Sequence, residues 1–232
     1  MIFSLNIDHI ATIRNARNSP YPSLTRASEI AKQAGAKIIT IHLREDRRHI
    51  KDDDATTLCN SNILPINLEI APTDEMVSIA LKLKPKFVCF VPEKREEITT
   101  EGGLDVAFHK ETLTKYTKTL QNAGIEVSLF IEPNEKSVLI SKEIGANTVE
   151  LHTGKFADLL KKEDLELIQK SAHFASNLGL KVHAGHGLTF NSAKEVAQIK
   201  DISTLHIGHF LITESIYIGL FEAVKKMVDV IN

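Results

Sequence analysis

The segment HLREDRRHI, His42 to Ile50, places two histidines and three arginines within eight residues of a chain that has seven arginines and a formal net charge of −2. Imidazole exchanges protons near neutral pH, and guanidinium forks match phosphate or carboxylate oxygens in bidentate fashion. Further groups with such chemistry end short apolar runs along the chain. They are Asn6, Asp8 and His9; His42 and Arg44; Asn67 and Glu69; Pro92 and Glu93; Glu132; Glu150 and His152; His183 and His186; His206 and His209. Of ten histidines, only His109 and His173 lie away from such ends.

Strand alternation sharpens this set. His42 and Arg44 share a face, as do Asn67 and Glu69, Glu150 and His152, and Asn6 and Asp8. A carboxylate such as Glu69, set between apolar neighbours, must face a polar cavity or find a partner. Desolvation would lift its pKa towards the range of a general base. His183 and His186 are three apart and face opposite ways in a regular strand; His186, between Gly185 and Gly187, is the expected site residue, with His183 packed behind it. GHGLTFNS and IGHFLITES put glycines at loop–helix junctions, where backbone N–H groups can approach a phosphate. Arg14 and Arg17, then Arg44, Arg47 and Arg48, would form a second anion site opposite. Arg17 and Arg44 are expected to touch ligand, whereas Arg47 and Arg48 either join them or pair with Glu45, Asp46 and Asp52 to Asp54. Two anion poles with His and Glu between them suit two phosphorylated molecules brought end to end.

The elements that must position these groups are eight β-branched or aromatic runs: 3–8, 37–43, 66–71, 87–92, 126–133, 148–153, 181–187 and 204–209. Most are too apolar on both faces for a one-sided sheet, as expected of parallel strands covered by helices. Helical spacing fills the gaps. Thr73 and Asn134 are predicted N-caps, Gly35 and Gly145 are stops, and one amphipathic helix closes the chain. Spread over eight repeats, 232 residues give 29 per unit, near the scale of a (β/α)8 barrel. The turn after the first strand, HIATIRNAR, lacks the glycines of a dinucleotide-binding fold. The expectation is an α/β chain, a (β/α)8 TIM barrel with a few extra helices near 10–17 and 155–162, forming one domain over residues 1–232. The connection EKREEITTEGGLDVAFHK is either a mobile loop over the site or a plain surface loop.

Composition narrows the function. With 43% hydrophobic and 25% charged residues, the chain reads as soluble and globular, and near-neutral charge disfavours nucleic acid as a partner. Neither a leader peptide nor a membrane span is expected. Cys59 and Cys89 have no zinc spacing, Cys89 reads as a buried thiol, and a reducing cytoplasm fits. No strand ends in lysine, which disfavours an enzyme-bound Schiff base. No strand carries a His-x-His pair, so no metal and no organic cofactor is expected, leaving His/Glu proton transfer. The alternatives are a single-substrate phosphosugar epimerase, a metal-dependent barrel hydrolase, and a phosphometabolite sensor that needs no Glu69, Glu150 and His186 together.

NIDHIATIRNAR, IHLREDRRHI, NLEIA, VPEKREEITTEGGLDV, VSLFIEP, ELHTG, AGHGLT and IGH resemble, in order and spacing, the pyridoxine 5′-phosphate synthases of vitamin B6 biosynthesis. The resemblance covers nearly the whole chain. It implies a transferase-class, ring-forming synthase that joins 3-amino-2-oxopropyl phosphate to 1-deoxy-D-xylulose 5-phosphate, giving pyridoxine 5′-phosphate, phosphate and water. It further implies a homo-octamer built as a tetramer of dimers. By this resemblance His42 and Glu69 are proton acceptors, His186 is the proton donor, and Glu150 stabilises a transition state. Asn6, Arg17, Gly187, Gly208 and His209 would hold the aminoketone phosphate, and Asp8, His9, Arg44, His49 and Thr99 the deoxyxylulose phosphate.

Overall fold

In a computed structural model of the chain, which describes residues 1–93 and 102–232, the eight apolar runs become eight parallel strands. They are β1 (Ile2–Asn6), β2 (Ile38–His42), β3 (Ile66–Ile70), β4 (Phe87–Phe90), β5 (Glu126–Ile131), β6 (Thr148–His152), β7 (Lys181–Gly185) and β8 (Ile202–Ile207). Each pairs with the next, and β8 closes on β1, giving a closed (β/α)8 barrel. The outer helices are α2 (Leu24–Gln33), α3 (Asp52–Asn60), α4 (Asp74–Leu83), α5 (Lys110–Asn122), α6 (Glu135–Ile144), α8 (Lys162–Asn177), α9 (Phe190–Val196), α10 (His209–Ile218) and α11 (Leu220–Ile231). Two more, α1 (Asp8–Ala16) and α7 (Gly154–Leu159), fall where extra helices are expected.

Strand alternation divides the barrel wall chemically. Residues such as Leu5, Ile39, Ile41, Leu68, Val88, Leu129, Val149 and Leu205 are buried and join the core beneath the helices. Their neighbours supply an inner face far more polar than the usual branched aliphatic filling. There Ser4 Oγ lies 2.7 Å from Thr40 Oγ1, which accepts from Asn67 Nδ2 at 3.2 Å and lies 3.0 Å from His206 Nδ1. The strands are therefore covered on both faces, as expected, but only the outer face is aliphatic.

Three expectations need correction. β1 ends at Asn6, so Asp8 opens α1 rather than sharing a strand face with Asn6. β7 ends at Gly185, so His186 lies beyond the regular strand, and the opposite-face argument does not apply to it. The closing helix is two helices, because Gly219 adopts φ 84°, ψ 149°. That conformation lies outside what L side chains readily adopt, and apolar spacing continues across it, so periodicity alone does not show the break.

The N-caps fall as predicted: Thr73 accepts from the Met76 amide at 3.4 Å, and Asn134 from the Ser137 amide at 2.8 Å. Gly145 ends α6 in the left-handed region at φ 90°. Asn134→Ala should lower unfolding free energy by about 1 kcal/mol without altering ligand affinity, as urea denaturation and a binding titration would show.

Candidate active site

The carboxyl ends of the strands carry the chemistry, and neighbouring strands set its spacing. His42 pairs in register with Glu69 across β2 and β3, bringing His42 Nδ1 to 3.9 Å from Glu69 Oε2. The other ring nitrogen, Nε2, is 2.9 Å from Glu93 Oε1, and the Glu45 amide donates to Glu93 Oε2 at 3.0 Å. Asp8, at the first turn of α1, accepts from the His42 amide at 2.8 Å and from Asn6 Nδ2 at 3.0 Å. His42 is thus fixed by one carboxylate and faces another. Glu93 ends the fourth apolar run, but its part in holding His42 depends on a contact 51 residues apart, which local pattern does not reveal.

Glu150 lies deeper in the lumen, 3% exposed. Cys89 Sγ donates to its Oε2 at 3.8 Å, and His206 Nε2 is 3.7 Å from the same oxygen. Gly185 leaves room for this carboxyl, since a Cβ there would collide with Glu150 Oε1. His206 Nε2 also lies 3.0 Å from His183 Nδ1, which places His183 within the lumen behind the rim.

Burial dominates the electrostatics. Desolvation, then the charges of Glu150 and Asp8, pushes Glu69 well above the ordinary carboxylate range. Desolvation, opposed by the hydrogen bond from Cys89, lifts Glu150 to about 8. Asp8 also rises through burial, against the opposing pull of His42, Asn6 and His9. The imidazoles move the other way: burial lowers His183 to about 4, drives His206 well down and lowers His186. Glu93 differs, because the hydrogen bond and charge of His42, the Glu45 amide and Arg44 outweigh its burial and bring it below its ordinary value.

His186 sits at φ 83°, a costly conformation for a side-chain-bearing residue. Thr153 supports it: its hydroxyl lies 2.7 Å from the Gly185 carbonyl oxygen and 2.6 Å from that of His186. Gly187 follows at φ 76°. At the β8 end, a Cβ on Gly208 would lie 2.9 Å from Asn6 Cβ, so glycine there lets that turn close over Asn6. The His9 ring is 4.8 Å from His209 and 6.3 Å from His49. The two groups of residues expected to hold different substrates therefore adjoin at the β1–β8 seam.

The arginine pole is smaller than expected. Arg14 pairs with Asp54 at 2.5 Å, Arg47 with Asp52 at 2.9 Å and Glu75 at 2.8 Å, and Arg48 with Asp46 at 2.6 Å. Arg44 keeps a buried Nε with no hydrogen-bond partner and looser ion pairs, 3.5 Å to Asp46 and 3.9 Å to Glu93. Among the described residues no ion pair engages Arg17. Of the five arginines expected at the second anion site, three pair closely with acids, which leaves Arg17 and Arg44 as the candidates for ligand contact. Thr99 lies outside the described residues, as does the rest of 94–101 in the connection after β4. Sequence reasoning left Glu93, His206, and the pair Glu132 and His152 without roles; position at a strand end is the one signal that marks them.

A closed (β/α)8 barrel with buried carboxyl and imidazole groups gathered at its carboxyl-terminal rim places the chain among the barrel enzymes. Residues 3–232 match the family described as Pyridoxal phosphate biosynthesis protein PdxJ, and the chain belongs to that family. The pyridoxine 5′-phosphate synthase of Neisseria meningitidis is 51% identical over 231 residues, covering 98% of this chain and 96% of its own. That of Ehrlichia chaffeensis is 51% identical over 223 residues, with 96% and 93% covered. The 3-keto-L-gulonate-6-phosphate decarboxylase structure from Vibrio cholerae superposes with a TM-score of 0.67 at 13% identity, covering 99% of this chain and 96% of its own, a likeness of fold alone.

Glu150 generates a pH prediction. A carboxyl whose folded pKa exceeds its unfolded value stabilises the fold fully below the ordinary 4.5, and that contribution disappears as pH rises through about 8. Glu69 acts in the same direction. The thermal midpoint should therefore fall between about pH 5 and about pH 9, and Glu150→Gln should flatten that fall by at most about 1.4 kcal/mol per pH unit. Calorimetry across this range checks it; an identical slope in the variant would mean that Glu150 is ionised in the fold.

Proposed function

We propose that this chain catalyses the pyridoxine 5′-phosphate synthase reaction, joining 3-amino-2-oxopropyl phosphate to 1-deoxy-D-xylulose 5-phosphate. The observation that carries the reading is the register pairing of His42 with Glu69, whose burial favours a proton-accepting carboxyl of raised affinity. In this reading the substrate amine attacks the deoxyxylulose ketone to give a substrate–substrate imine, one phosphate leaves, and the ring closes by aldol-type condensation and dehydration. His42 and Glu69 accept protons and His186 donates one. Glu150, next to Gly185 in the lumen, stabilises charge that develops in the transition state. Orientation of two substrates replaces several kcal/mol of entropy, and each timed proton transfer contributes roughly 10²–10⁴-fold.

Asn6, Arg17, Gly187, Gly208 and His209 hold the aminoketone phosphate. Asp8, His9, Arg44, His49 and Thr99 hold the deoxyxylulose phosphate. Supporting this division, Arg44 faces the His42–Glu93 side of the rim, while Gly187 and Gly208 belong to the β7 and β8 turns that form the usual barrel phosphate site. The 232 residues act as one domain in the cytoplasm. Homo-octamer assembly draws support from apolar side chains at the end of α10, where Ile216 and Tyr217 are 69% and 78% exposed. No helix among the described residues is long and apolar enough to cross a membrane.

A second reading, metal-assisted hydrolysis, has one observation in its favour. Asp8, His42 and Glu69 each bring a ligand atom within 4.8 Å of the others. Burial favours protons on both carboxyls, and a cation would have to displace them.

Incubating the purified protein with both phosphorylated substrates should produce a pyridine chromophore, unchanged by a chelator and lost in Glu69→Gln. Product formation that EDTA abolishes would favour the metal reading, and full activity in Glu69→Gln would remove Glu69 from the mechanism. Arg44→Ala should raise KM for the deoxyxylulose phosphate at least about tenfold more than for the aminoketone phosphate, the scale of one lost charged hydrogen bond. Equal rises in steady-state assays would undo the division of the rim.

A further inference from the structure

A second carboxylate–imidazole pair stands beside His186 and has no task in the chemistry above. His152, the last residue of β6, places Nδ1 3.0 Å from Glu132 Oε1, just past the end of β5. Both side chains are largely buried, 11% and 7% exposed. The same Glu132 oxygen accepts the Gly103 amide at 2.7 Å, which ties the pair to the stretch leading into α5. On its other side the His152 ring centre lies 5.0 Å from that of His186, the planes tilted by 52°. Phe130 stands edge-on to His152 at 5.1 Å and confines the ring.

Two glycines make this approach possible. A Cβ on Gly154 would lie 2.8 Å from His152 Nε2 and 3.2 Å from His186 Cδ2, so both rings converge on space that any side chain would fill. A Cβ on Gly102 would lie 3.2 Å from His152 Cε1. With Nδ1 engaged by Glu132, Nε2 is the ring nitrogen turned towards His186. The arrangement parallels Glu93 and His42 on the other side of the rim, 2.9 Å apart.

We propose that Glu132 and His152 form a positioning pair for His186, fixing the orientation of its ring and the surroundings from which it donates. The proposal rests on the reading of His186 as proton donor. Among the described residues, the titratable groups facing His186 are His152 from β6 and Asp158 from α7, and Glu132, just past β5, faces His152. Burial lowers the pKa of His186, His152 lowers it further, and Asp158 opposes both. Removing His152 therefore raises the proton affinity of His186. A donor is lost as pH rises through its pKa, so the alkaline limb of the rate profile must move to higher pH.

The test follows histidine side chains by NMR titration in the full-length protein, with His186→Asn used to assign the His186 signal. In His152→Gln the His186 midpoint and the alkaline limb of kcat/KM should rise together. Turnover should fall by about tenfold or more, within the span expected for a perturbed proton transfer, while both KM values stay within about threefold. Glu132→Gln keeps an acceptor for His152 without the charge, and decides the matter by the same readouts if His152→Gln does not fold. A folded variant whose His186 midpoint and turnover match the wild type overturns the proposal. If that happens while His186→Asn is inactive, the donor reading survives and only the pair falls; substantial turnover in His186→Asn sinks both.

Discussion

Every polar group on the inner face of the barrel must find a partner or shed its charge, because eight closed strands and the core around them remove it from bulk water. That constraint explains the inversion of ordinary titration behaviour. Glu69 and Glu150 are driven towards the protonated form, whereas His183, His186 and His206 are driven towards the neutral one. Carboxyl groups that keep their proton more readily and imidazoles that shed theirs more readily are the reverse of the same residues in water, and the difference comes from location alone. The chain Ser4–Thr40–His206–His183 supplies the hydrogen bonds that make so polar a filling tolerable. Exchanging any of its members for an apolar residue would leave a neighbour buried without a partner, which costs more than the lost bond.

The rim obeys a different rule. Glu93 is more acidic than usual because His42, Glu45 and Arg44 all contribute to holding it, and Asp46 falls to about 2 beside Arg48. The half-exposed Arg48–Asp46 pair contributes little stability, so its value is geometric. Arg47, at φ 52°, donates to the carbonyl oxygens of Arg44 and Glu45 and pairs with Asp52 of α3 and Glu75 of α4. It stitches the β2–α3 connection to two helices. Arg48 and Arg14 brace the same connection through Asp46 and Asp54. Three of the clustered arginines therefore build the frame that presents Arg44 and His49 to the cavity.

These two rules show why some of the molecule was legible in sequence and some was not. Strands buried on both sides announce themselves as short β-branched runs, and Thr73, Asn134 and Gly145 obey local capping chemistry; barrel and helix ends could be read directly. Convergence of Asn6, His42 and Glu69 on one rim follows from the barrel once each is known to lie at the carboxyl end of a strand, whereas Glu150, in the middle of β6, lies one layer deeper. Arginine partners could not be read, since Arg47 chooses among Glu45, Asp46, Asp52 and Glu75, acids both near and far along the chain. Gly219 was hidden by apolar spacing that runs unbroken from α10 into α11. Glu93 and Glu132 were visible as strand-end acids, but which imidazole each would hold depends on the order in which eight strands close.

His186 shows how local cost and tertiary support fit together. A histidine at φ 83° would relax by swinging its ring away from the cavity unless its surroundings opposed that motion. The opposition comes from one corner: Thr153 binds the carbonyls on both sides of the strained residue, Gly154 leaves space for the ring, and Gly187 absorbs the turn that follows. Thr153 and Gly154 in turn are fixed by α7, the short helix that a minimal barrel would omit. The extra helix is thus best understood as the clamp for one imidazole. Because Thr153, the N-cap of α7, directly follows His152, the same turn that holds His186 in a strained backbone also sets its distance from the Glu132–His152 pair.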